Sequence, residues 1–283
     1  MPSASCLCGD VGWEVEGAIP FMSHCHCGRC RKAHGTAFAT YVTALADRFR
    51  TTRGAERVVG WESSPGFLRK FCGRCGSVVP GTPGGDGQVF LPAGSFLDDP
   101  GVRPMLHIFV ASKAPWYEIP DQLPRFEAFP PGIDVPVLPD RPPVDPPGPL
   151  RGSCLCGAVA FVVTGPLGPP RNCHCSRCRR ARSAAHASNV GTSVDGVRFT
   201  RGADLLASYK VPEAKFFTQT FCRICGSKLP RVDPSRNLTV VPLGALDDDP
   251  GVGPAMHIFV SAKAPWFEIA DRLPQYAEYP PSA

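Results

Sequence analysis

The chain has 283 residues, room for two ordinary domains, and its 43% hydrophobic against 19% charged composition excludes wholesale disorder. A net charge of +5 with a pI near 8.5 falls short of the basic stripe of nucleic-acid binders, so no nucleic-acid partner is expected. No apolar run approaches the roughly 20 residues of a membrane helix, so no membrane partner is expected either.

From the N-terminus, Met1 to Ser5 shows no charged and apolar run ahead of Cys6, so no signal peptide is expected. Fourteen cysteines without an export signal read as metal-bound or reactive thiols in a reducing cytoplasm rather than as disulfides. SCLCG (5–9) carries Cys6 and Cys8, and GWEVEG (12–17) alternates as a strand does. HCHCGRCRKAHG (24–35) carries Cys25, Cys27 and Cys30, and a short helix or turn is expected after the third cysteine. AFATYVTA (37–44) and QVFLPAG (88–94) read as strands on either side of FCGRCGS (71–77), which holds Cys72 and Cys75.

HIFVASKAPWYEI (107–119) is followed by PPGIDVPVLPDRPPVDPPGP (130–149), whose nine prolines in twenty residues predict a semi-rigid spacer. Beyond it the chain is written again. SCLCG recurs at 153–157, CHCGRC as CHCSRC at 173–178, FCGRCGS as FCRICGS at 221–227, and the HIFV segment at 257–269 with ten of thirteen positions identical. The offset grows from 148 (Cys6 to Cys154, Cys25 to Cys173) to 150 (Cys72 to Cys222), so two residues are inserted between Cys178 and Cys222. AVAFVVTG (158–165) and NLTVVPLG (237–244) are strand candidates of the second copy. The expected organisation is a first zinc domain over 1–130, a Pro-rich linker over 131–149 and a second zinc domain over 150–283. Thirty-three prolines and 29 glycines punctuate short apolar runs, which favours an all-β, mainly antiparallel fold.

Seven cysteines per copy divide as four plus three. C-x-C places two thiols on one side of an extended segment, and C-x-x-C-G does so around a tight turn. Pairing the two gives a closed tetrahedral site from Cys6, Cys8, Cys72 and Cys75, and from Cys154, Cys156, Cys222 and Cys225. Cys25, Cys27 and Cys30, and likewise Cys173, Cys175 and Cys178, then form a second site with one position open to substrate. Thiolate-rich sets favour zinc, with an iron–sulfur centre as the alternative, and two zinc ions per domain are expected.

His26 and His174 sit between same-facing cysteines and so point away from the metal. His107 and His257 read as satisfied core histidines, and Trp116 and Trp266 as packing anchors. Arg29, Arg31 and Lys32, with Arg177, Arg179, Arg180 and Arg182, put positive charge beside the triads. That charge either draws a carboxylate-bearing thiol or forms a solvated face.

Together, C-x-C-G, C-H-C-x-x-C-R-[KR], F-C-x-x-C-G-S and K-A-P-W followed by D-x-L-P resemble the glutathione-dependent formaldehyde-activating enzymes, a family that includes centromere protein V. The resemblance implies two β-tent domains, a structural zinc on the four-cysteine sets and a catalytic zinc on the triads. It implies a carbon–sulfur lyase that condenses glutathione, a small thiol substrate, with formaldehyde to S-hydroxymethylglutathione. The competing readings are a zinc-stabilised binding module and a hydrolase using zinc-bound hydroxide. Pairing of the two domains within the chain is a further expectation. The second copy departs from the pattern at Ser183 for Gly35, His186 for Phe38 and Gln219 for Arg69, so the first is expected to be the more family-like site.

Overall fold

The computed structural model describes residues 1–133, Val137 and 148–281, so most of the expected spacer lies outside the described residues. Each copy is built from three small sheets and one short helix. In the N-terminal copy Ser3–Ser5, Gly12–Val15 and Phe49–Arg53 form one antiparallel sheet. A second sheet orders Gln88–Pro92, Ala39–Leu45, Phe21–Cys25 and Leu106–Ile108, the last pair parallel and the others antiparallel. The hairpin Val58–Ser64/Phe67–Cys72 is the third. The C-terminal copy repeats the plan, with Arg231–Asp233 added to the edge of its larger sheet. The all-β, mainly antiparallel expectation holds, and no helix among the described residues is long and apolar enough to cross a membrane.

The two inserted residues fall at one hairpin tip. Val58 and Leu206 still differ by 148 and Cys72 and Cys222 by 150, so the extra length lies between the hairpins' first strands and their closing cysteines. An insertion at the tip leaves the strand register at the cysteines unchanged, and the longer tip buries Val211 and Ala214 in the apolar core.

The helices α1 (Gly28–His34) and α2 (Ser176–Arg182) are short because their starts and stops are chemical. Cys27 caps α1, its Sγ accepting from Cys30 N at 3.3 Å, and Gly35 ends it in the left-handed conformation with φ 67°. Ser183 ends α2 with φ 53°, so losing the glycine did not reshape the turn. A β-carbon is costly there, and the Ser183 hydroxyl offsets this by donating to Val78 O at 2.9 Å in the other copy.

Contacts between the copies are reciprocal. Backbone at Gly94 meets Ala184 so closely that a β-carbon would lie 2.1 Å from its nitrogen, and Gly244 meets Thr36 in the same way at 2.5 Å. Lys32 Nζ donates to Ser153 O at 2.9 Å and pairs with Asp247 at 2.7 Å, while its counterpart Arg180 donates to Ser5 Oγ at 2.9 Å and to Cys6 O. Neither reading of that charge fits Lys32 or Arg180, since both side chains end on groups of the other copy. One apolar core draws on both copies, joining Trp13, Phe38 and Phe96 to Ala181, Trp266 and Phe267. Trp266 is thus an anchor as read, whereas Trp116 is only partly buried.

Lys228 breaks the symmetry, standing where the N-terminal copy has Val78. Fully buried, its ammonium donates to Ala33 O at 3.1 Å, Gly226 O at 2.8 Å and Gly76 O. Lys228→Val strands three buried carbonyls and is expected to cost roughly 3 kcal/mol or more, read as a lowered denaturant midpoint.

Candidate metal centres

In each copy the first and third cysteine groups meet although 64 to 66 residues of chain separate them. The four sulfurs of Cys6, Cys8, Cys72 and Cys75 lie within 4.8 Å of one another, as do those of Cys154, Cys156, Cys222 and Cys225. Cys6 to Cys8 is 3.4 Å and Cys8 to Cys72 is 3.7 Å, close to the ~3.8 Å separation of ligands around a tetrahedral zinc with 2.3 Å bonds. The donor set and its spacing therefore fit zinc.

The cluster is built by short-range geometry at each end. Val11 N donates to Cys6 Sγ at 3.3 Å, and Gly76 N closes the C-x-x-C turn onto Cys72 O at 2.8 Å. Leu7 N donates to Ser77 Oγ at 3.0 Å, which ties the two knuckles together. Sulfurs this crowded cannot all ionise unaided. Hydrogen bonds with neighbouring thiols and burial push Cys6 and Cys8 up, and the same bonds pull Cys75 down. A divalent cation resolves that conflict by stabilising all four thiolates.

The triads converge too. Cys25 ends the strand Phe21–Cys25, Cys27 caps α1 and Cys30 lies in its first turn, with the three sulfurs within 4.8 Å of one another. Cys173, Cys175 and Cys178 repeat the arrangement around α2. Among the described residues no histidine or carboxylate completes either triad, so the protein supplies three donors of four.

Behind each triad stands a relay of two buried histidines and one partly exposed carboxylate. Asp121 carboxylate lies 2.9 Å from His107 Nε2, and His107 Nδ1 lies 2.8 Å from His26 Nε2. The carboxylate accepts, so His107 carries its proton on Nε2 and His26 donates to the free Nδ1. Asp271, His257 and His174 repeat this at 2.9 and 2.8 Å. His26 faces away from its flanking sulfurs, and burial together with His107 lowers it to about 3. Asp121 and Asp271 were not singled out by sequence reasoning, although D-x-L-P recurs at both positions and was the available signal.

Arg69 separates the two triads. Its Nη2 donates to Cys30 Sγ at 3.6 Å, while hydrogen bonds from Cys25 and Cys27, then Arg69 itself, hold the Cys30 thiol well below its ordinary value. In the C-terminal copy Gln219 instead donates to Thr220 O at 3.1 Å. His186 packs beside His174, behind its own triad, with ring centroids 5.3 Å apart. Its ring packs edge-on against Phe38 across the contact between copies, centroids 5.5 Å apart.

The family model described as glutathione-dependent formaldehyde-activating enzyme matches residues 1–112 and again 149–262. A Halomonas elongata protein named after glutathione-dependent formaldehyde activation is 35% identical over 141 residues, covering 46% of this chain and 88% of its own. A crystal structure of a Rhodobacter sphaeroides protein is 31% identical over 37% of this chain and 92% of that one, with a TM-score of 0.28. Two matched regions, each holding one four-cysteine set and one triad, place this chain in the glutathione-dependent formaldehyde-activating enzyme family.

Proposed function

We propose that the chain is a zinc-dependent carbon–sulfur lyase that forms and breaks thiol–aldehyde adducts such as S-hydroxymethylglutathione, with the N-terminal triad as the reacting centre. The observation that carries this reading is three converged thiols with a fourth position left to substrate, standing beside a cluster that closes with four. Cys25, Cys27 and Cys30 would hold the zinc, which supplies a position where a substrate thiol ionises near neutral pH. Arg69, 3.6 Å from Cys30 Sγ, offsets the negative charge that three thiolates concentrate. The Asp121–His107–His26 relay braces the strand-to-helix junction that carries Cys25 and Cys27. In the reaction a sulfur–carbon bond forms, the carbonyl π pair moves to oxygen, and the thiol proton ends on the hydroxymethyl oxygen. No redox partner is needed.

The four-cysteine sets are read as structural zinc sites, giving two zinc ions per copy. The copies, bounded as 1–130 and 150–283, are read as one folded pair in a reducing cytoplasm, supported by their reciprocal contacts and unbridged cysteines. Exchange NMR with ¹³C-formaldehyde and glutathione tests the activity. Zinc-loaded protein should speed exchange between free aldehyde and adduct, and chelator treatment should abolish the gain. An exchange rate equal to the protein-free control at full zinc occupancy contradicts the reading.

A further inference from the structure

The two triads open onto different surroundings. Beside Cys173 and Cys178 lies a cavity of about 300 Å³ whose wall includes Arg171, Arg182, Arg231 and Arg236 and no carboxylate among the described residues. By the repeat offsets these arginines stand where the N-terminal copy has Ser23, His34, Gly81 and Asp86, so the charge belongs to the second copy alone. It is also poorly neutralised from within. Asp233 accepts from Arg236 at 2.7 Å and lies 3.6 Å from Arg231, so one carboxylate serves two guanidinium groups. Arg182 is 7% exposed and donates to the neutral Asn189 Oδ1 at 2.9 Å, while its Nη1 is buried without an acceptor among the described residues.

Burying a cation without an acceptor is costly, and the planar fork of arginine matches the paired oxygens of carboxylate and phosphate. The contrast with the N-terminal site is informative. There Arg69 is committed to Cys30 sulfur, whereas here Gln219 takes its place and the positive charge lines the space beside the triad. Glutathione carries two carboxylates but also an ammonium group, so this cavity suits a ligand of greater net negative charge.

We propose that the cavity binds a small molecule bearing at least two anionic oxygen groups, a dicarboxylate or a phosphate monoester, and presents it to the C-terminal triad. This deepens the thiol–aldehyde reading by giving the second site its own, more anionic substrate class. The diverged copy is thus a second binding centre, not a structural remnant.

Calorimetric titration of the full-length, zinc-loaded chain with inorganic phosphate and with succinate tests it, at ionic strength held constant with sodium chloride. At least one probe should bind saturably with one site per chain, and the responding probe separates phosphate from dicarboxylate. Arg171→Gln or Arg236→Gln should weaken that binding about tenfold or more, and Arg50→Gln on the exposed face of the other copy should leave it unchanged. No saturable heat from either probe at concentrations on the order of 10 mM, or equal binding by wild type and both arginine variants, overturns the proposal. Arg171 is only half-buried, so Arg171→Gln decides the matter should Arg236→Gln fail to fold. Failed anion binding with N-terminal adduct exchange intact sinks this inference alone, and lost exchange with anion binding intact sinks only the activity.

Discussion

Cys72→Ala is expected to remove one zinc per chain and to abolish cooperative unfolding of the N-terminal copy. Cys72 closes a hairpin and lies 3.7 Å from Cys8 Sγ, so its loss opens a four-thiol site that joins the start of the copy to its middle. Structural zinc in small domains contributes on the order of 10 to 16 kcal/mol, as large as the whole stability of an ordinary domain. The sheets flanking the site are only three to seven residues per strand and have little to fall back on. Because the apolar core draws on both copies, the damage should reach the C-terminal copy as well. Metal analysis with thermal circular dichroism checks this. A variant that keeps the wild-type melting temperature and all its zinc would contradict it, and Cys222→Ala should behave as its mirror.

Cys30→Ala should act in the opposite sense, sparing the fold and losing the chemistry. Cys30 sits in the first turn of α1, whose end is secured by Gly35 N donating to Arg31 O at 2.7 Å and by contacts with the other copy. Alanine is a better helix former than cysteine, so the helix survives. What disappears is one of three donors and the sulfur that Arg69 faces, leaving Arg69 without its buried acceptor. One zinc should be lost, the melting temperature should move little, and adduct exchange should fall by about 100-fold or more, equivalent to at least ~2.7 kcal/mol of barrier.

Much of this was legible because the cysteine spacings are local and the chain repeats them. C-x-C, C-x-x-C and C-H-C-x-x-C each dictate a small turn or junction, and the four-plus-three partition followed from how many thiols one ion takes. The strands at GWEVEG and QVFLPAG were visible as alternation, and both are present. Long-range facts were not legible. Lys32 and Arg180 read as charge beside a triad, yet each reaches across to backbone of the other copy, which no spacing within one copy reveals. Asp121 is far from Cys25 in sequence, and only the parallel pairing of His24 with His107 brings its histidine alongside. Of the arginines around the C-terminal cavity only Arg182 belongs to the charged run after the triad; Arg171, Arg231 and Arg236 are scattered, so no local pattern flagged them.

The central claim is that the N-terminal triad, and not the closed four-cysteine cluster, carries the thiol–aldehyde chemistry. Exchange NMR of ¹³C-formaldehyde with glutathione, run on wild type, Cys30→Ala and Cys178→Ala with zinc counted in each, tests it most directly. The account predicts that Cys30→Ala and Cys178→Ala each lose one zinc, and that only Cys30→Ala loses the acceleration of exchange. Undiminished exchange in folded Cys30→Ala that has lost its zinc would contradict it.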